Sequence, residues 1–127
     1  ASWVSQASFS PPGLSIAVAK DRSVESLLQI GDSFALNILS EKDFKEPLKR
    51  FTKPFSPGED RFEGLNIELT PNEQIIIPES LAWLDASVKE RMECGDHWVI
   101  YAEVQHGNIL KSDCLTAVHH RKTGANY

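Results

Sequence analysis

The sequence predicts a mainly β protein, an antiparallel barrel with two short helices, and three observations carry that reading. Apolar and polar residues alternate in paired runs joined by tight turns, once around Pro11-Pro12-Gly13 and once at Gly95-Asp96. Helical spacing occurs in two short stretches only, after Ser23 and after Ser40. The 127 residues, 41% hydrophobic and 24% charged, supply one core, so 1–127 reads as one domain.

In chain order, Trp3, Ser5, Ala7 and Phe9 fall on one face of a first strand, and Ser2, Val4, Gln6 and Ser8 on the other. Pro11 and Pro12 cannot donate to a ladder and Gly13 supplies a turn, so Leu14-Ser15-Ile16-Ala17-Val18-Ala19 reads as the return strand. Ser23 as N-cap, Glu25 in the first turn and Gly31 at the end mark a helix of about two turns. Phe34, Leu36 and Ile38 form one face of a strand over 33–39. Ser40 with Asp43 resembles a capping box, and Phe44, Leu48 and Phe51 keep helical spacing, with Pro47 expected to kink or divide that helix.

The stretch 53–64 is rich in Pro and Gly and reads as a long loop, a lid or partner contact by its length. Short strands follow over 65–69 and 74–77. Ala82, Leu84, Ala86 and Val88 alternate with Trp83, Asp85, Ser87 and Lys89. After the Gly95-Asp96 turn, 97–105 returns with Trp98, Ile100, Ala102 and Val104 on one face. A last strand is expected over 115–118, ahead of a polar tail.

Net charge is −5, which argues against nucleic acid or an anionic membrane as partner, since both need a positive face. No apolar run approaches the ~20 residues that a bilayer requires, and no signal peptide is visible. Cys94 and Cys114 lack paired spacing, so neither a disulfide scaffold nor a metal site is expected, and a reducing, cytoplasmic setting is. There is no nucleophile elbow and no glycine-rich phosphate loop. The chain starts without Met and already inside a strand pattern, as an excised piece of something longer would.

Two candidate sites emerge from residue types. Antiparallel return brings Lys20 and Arg22 beside the start of the first strand, and Ser23 opens a helix there. Cations and a helix N-terminus together suit an anion, and small serines on the adjacent strand suit a flat ligand. His97 opens a strand directly after a turn, at a barrel rim. Its imidazole can orient a ligand or move a proton, or it can simply tie down the Gly95-Asp96 turn.

Three stretches then resemble a known family. Ser5-Gln6-Ala7-Ser8-Phe9-Ser10-Pro11-Pro12 resembles the Ser-x-x-Ser-x-x-Pro-Pro strand of the flavin reductase-like, FMN-binding split-barrel family. The run 31–39 resembles its Phe-x-x-Asn-x-Leu strand, and 95–104 its Gly-Asp-His…Glu-Val hairpin. Together with 1–13, the stretch 53–62 and the ending 116–124 look like the carboxy-terminal reductase domain of the diflavin flavodiiron proteins of oxygenic phototrophs.

The resemblance implies a split antiparallel barrel, usually a homodimer, that binds FMN along its first strand and passes electrons from NADH or NADPH to the flavin. It implies flavodiiron and flavodoxin-like domains in the parent chain and reduction of oxygen to water. It also implies one or two strands before Ala1 that this sequence lacks. Carried over by position, Ser5 and Ser8 match the hydroxyl pair of the flavin strand, with Ser2, Trp3 and Gln6 as neighbours. Lys20, Arg22 and Ser23 match the loop after the second strand, where the residue types also suit an anion, and His97 matches the histidine of the Gly-Asp-His turn and is expected to act as a catalytic residue in the nicotinamide half-reaction. Two alternatives stay open: a free-standing flavin reductase, and a flavin-binding or dimerisation module without turnover.

Overall fold

The structure, a computed structural model, describes residues 3–53 and 56–117. Strands β1 (Trp3–Phe9), β2 (Pro12–Ala19), β3 (Ser33–Leu39), β6 (Ser80–Cys94) and β7 (His97–Ile109) form one antiparallel sheet in the order β1-β2-β7-β6-β3. The order is open between β1 and β3, as a split barrel requires. A small second sheet pairs β4 (Glu68–Leu69) with β5 (Ile75–Ile76), and helix α1 (Lys45–Thr52) lies between β3 and β4.

The core follows the predicted alternation. Leu14, Ile16 and Val18 of β2 meet Ile100 and Ala102 of β7 and Ala86 and Val88 of β6, with Trp98 and Val104 packed against them. Ile100 and Ala102 are fully buried. The β6–β7 turn pairs Cys94 with His97 across two residues, and Gly95 takes φ +58 at the first of them, where a side chain would be strained.

Register shifts bend the sheet. On β7 one extra residue lies between the partners of Asp85 and Ala86, and on β6 one lies between Val88 and Glu90. β7 runs four residues beyond the expected 105, because Ala82 through Asp85 pair with 106–109 past the first shift. The strands over 65–69 and 74–77 shrink to two residues each. The expected last strand is, in its described part, a single bridge from Ser40 to Thr116; Val118 and the tail lie outside the described residues.

Both helix expectations need correction. The segment after Ser23 is a five-residue 3-10 helix, Ser23–Leu27, with Arg22 at its cap position and no side-chain capping bond. Val24, Leu27 and Ile30 stay exposed while Leu28 alone enters the core, so there is no buried stripe to sustain an α-helix. Ser40 and Asp43 do bond each other's groups, Asp43 N–H donating to Ser40 Oγ at 3.1 Å, but this closes a turn ahead of α1. Pro47 lies in the first turn of α1, where its missing N–H costs nothing, and the helix runs undivided from Lys45 to Thr52.

Stretch 53–64 is strapped to α1 by arginines. Arg61 donates to Phe51 O and Lys53 O at 2.9 and 2.8 Å, and Arg50 donates to Arg61 O and Glu63 O at 3.1 and 2.8 Å. Asn37 ties β3 to the small sheet, donating to Ile75 O at 3.0 Å and accepting from Ile77 N–H at 2.8 Å.

Candidate functional site

Alternation alone separates Ser5 from Ser8, but the register does not. A shift between Gln6 and Ser8 places Ser5 opposite Ser15 and Ser8 opposite Gly13. Ser15 and Gly13 are two apart on β2, so the two serines share one face of the sheet. Trp3 opposite Ala17 lies on the same face, and so does His97, opposite Ala19. Gln6 pairs with Leu14 and belongs to the other face; Ser2 lies outside the described residues.

β2 therefore presents Gly13, Ser15, Ala17 and Ala19 in a row, with β1 and β7 on its two sides. All four are small, and the row is flat enough for a planar ligand to approach the backbone. Tyr101 of β7 leans over its far end: a Cβ on Gly13 would stand 2.6 Å from the Tyr101 ring. Trp3 and His97 close the near end, their rings stacked at 5.0 Å and 23°.

His97 is 8% exposed. Its Nδ1 donates to Asp96 Oδ1 at 2.7 Å, and that bond holds the Asp96 carboxyl below its usual 3.8. The histidine thus sits in a stacked, hydrogen-bonded setting and not on an open rim.

The predicted anion loop lies beside this near end. Lys20 N–H donates to Asp96 O at 3.0 Å, and the Lys20 ammonium pairs with Glu93, whose carboxyl it holds below its usual range. Arg22 Nε is 3.7 Å from Asp21, and both side chains are exposed. Ser23 starts the 3-10 turn without capping it. That turn is anchored from below: Glu25 pairs with Arg91, whose guanidinium lies 4.5 Å from the Trp98 ring centroid, while the Lys20 ammonium lies 5.4 Å from the same ring.

The sequence reading missed Gly13, Ser15, Ala17 and Tyr101 as parts of this face, and Glu93, Arg91 and Trp98 as the supports of the loop. For the first group the signal was present, since small residues alternate along β2; for the second it was not. Two concavities, of about 380 and 510 Å³, lie along α1 and are both lined by Glu46 and Arg50, away from every predicted site residue. Among the described residues no cluster of His, Cys, Asp and Glu could hold a metal, and no helix is long and apolar enough to cross a membrane.

A face of small residues fits a flat ligand, while the Lys20 ammonium beside it turns to the Trp98 side of the sheet. Comparison with known proteins bears on which ligand. The family described as flavin reductase like domain matches residues 1–125. Diflavin flavoprotein A 1 of Synechocystis sp. strain PCC 6803 is 53% identical over 127 residues, all of this chain and 22% of that protein. The chain thus spans about a fifth of the curated relatives it matches. Among solved structures, NADH:FAD oxidoreductase SgcE6 of Streptomyces globisporus has a TM-score of 0.80 at 22% identity, covering 97% of this chain and 75% of that one. A flavin reductase domain protein of Arthrobacter sp. FB24 has a TM-score of 0.78 at 22% identity, covering 100% and 79%. At that identity the two structures speak for the fold.

Proposed function

The chain belongs to the flavin reductase-like domain family, and we propose from that membership that it is an NAD(P)H:flavin oxidoreductase domain that binds FMN. The observation that supports this most is the shared face: the shift after Gln6 turns Ser5 and Ser8 onto the same side as Gly13, Ser15 and His97. Identity to diflavin flavoproteins supports a place in a larger chain, with flavodiiron and flavodoxin-like domains, that reduces oxygen to water.

In this reading the small side chains of β1 and β2 let the flavin approach their backbone, with Ser5 and Ser8 offering hydroxyls. Lys20, Arg22 and Ser23 hold the phosphate; the Lys20 ammonium is paired with Glu93 until an anion competes for it. Bound FMN supplies the ring that accepts hydride from NADH or NADPH. His97, oriented by Asp96, positions the nicotinamide, for which reacting atoms must stand about 3–3.5 Å apart. A homodimer belongs to the same reading, since β1 is an open edge strand with Phe9 84% exposed.

The test compares two ligands. Lys20→Ala with Arg22→Ala should weaken FMN at least about 10-fold, the scale of charge-assisted hydrogen bonds, and leave riboflavin, which lacks the phosphate, nearly unchanged. Equal losses for both would remove the phosphate from this loop. Absence of flavin reduction by either NADH or NADPH in the full protein would leave the binding-module alternative.

A further inference from the structure

β2 and β7 lie inside the sheet, each paired on both sides, so the face they share does not depend on what borders its edges. Tyr101 of β7 pairs with Ser15, yet its side chain reaches diagonally to Gly13. A Cβ on Gly13 would stand 2.6 Å from Tyr101 Cε2 and 2.7 Å from its Oη. Any other residue at 13 would push the phenol end away. Glycine weakens a strand, and inside one it marks a close approach. That seat fixes where the hydroxyl stands: over the backbone of β2, with Ser8 in register on the far side of Gly13. Tyr101 is half-buried, and its hydroxyl has no hydrogen-bond partner among the described residues, although a tucked-in phenol usually finds one.

We propose that Tyr101 is a flavin-binding residue whose hydroxyl donates a hydrogen bond to a carbonyl oxygen or ring nitrogen of the isoalloxazine. The proposal rests on the reading that FMN lies along this face with its phosphate at loop 20–23. Gly13 stands six positions from Ala19 along β2, about 20 Å by strand rise. The end of FMN opposite its phosphate is the ring, so the ring comes to Tyr101. Its polar edge is rich in acceptors, carbonyl oxygens and unprotonated nitrogens, and a phenol donates well to both. The seat on Gly13 holds the phenol in place before the ligand arrives, so little side-chain freedom is lost when the bond forms.

The experiment measures flavin affinity, not turnover. The full protein, stripped of flavin, is titrated with FMN and with riboflavin by equilibrium dialysis. Any flavin site elsewhere in the parent chain is common to wild type and variant and cancels between them. Tyr101→Phe keeps the ring on Gly13 and removes only the hydroxyl. It should weaken both ligands about 3- to 10-fold, the size of one neutral hydrogen bond, because both carry the same ring. The melting temperature of the flavin-free protein should not move. Unchanged affinity for both ligands would overturn the proposal and leave the flavin reading standing. A loss for FMN alone would also overturn it, since the hydroxyl would then meet the phosphate. A lower flavin-free melting temperature would give the hydroxyl a structural task and overturn it as well. If Lys20→Ala with Arg22→Ala weakens neither ligand, the reading of loop 20–23 fails and the proposal with it.

Discussion

Replacing Arg91 with Met tests what holds the phosphate loop in place. Arg91 and Glu25 are 8% and 22% exposed as side chains, and Arg91 Nε has no hydrogen-bond partner among the described residues. Removing one partner of a fully buried pair costs about 3–5 kcal/mol. Glu25 sits on a 3-10 turn and keeps a fifth of its surface in water, so it can rotate outward, and the loss should be about 2–3 kcal/mol. For 127 residues the unfolding entropy is about 0.27 kcal/mol/K, so the melting temperature should fall about 7–11 °C. Met keeps the length and the contact with Trp98, so the lost charge dominates the change. Adding Glu25→Gln should then recover at least about 1 kcal/mol, because no uncompensated carboxylate is left. Calorimetric melts of wild type, both singles and the double close the cycle. An Arg91→Met protein that melts with wild type, or a loss indifferent to residue 25, would refute the buried pair as the anchor.

Two further outcomes follow from the core and the surface. Ile100 has no surface left in water, so Ile100→Ala should cost about 3–4 kcal/mol, roughly 2.4 from three lost carbons and the rest from the cavity, read by urea unfolding. Lys111 foremost, and then Ser40, hold the Asp43 carboxyl below its usual 3.8, so its stabilisation is present above about pH 4 and lost as pH falls through the lower folded value. Asp43→Asn should therefore be less stable than wild type at pH 7 and converge with it in acid; a gap that persists at pH 2 would assign the difference to something other than charge.

What could be read from the sequence was what repeats with a period of two. β2 and the core faces of β6 and β7 were visible because Leu14, Ile16 and Val18 answer Ile100 and Ala102 at that period, and Gly95 marked the turn. Register shifts have no such signature. Nothing in Gln6-Ala7-Ser8 announces that the period breaks there, yet that break decides whether Ser8 shares a face with Ser5. The false helix after Ser23 had a cap-like serine, an early acid and a terminal glycine. Local chemistry was right and the tertiary context overrode it, because Glu25 is drawn down to Arg91, 66 residues away. The same distance in sequence hid Glu93 from Lys20, 73 residues apart. His97 was found by its place after a turn, but its cover by Trp3 reaches across β2 and leaves no local trace.

The straps between α1 and stretch 53–64 have a consequence for how this surface can change over generations. Arg50 and Arg61 both address main-chain carbonyls, at Phe51, Lys53, Arg61 and Glu63. A carbonyl is present whatever residue carries it. The shape of the segment is thus written largely in two guanidinium groups, helped by the Glu59 and Asp60 carboxylates that accept from Ser56 N–H and Phe62 N–H. Exposed positions such as Pro57 and Glu63 are free to drift, to gain or lose charge, or to suit a new neighbour, while the two arginines keep the outline. Selection can re-address this patch one substitution at a time without risking the barrel behind it.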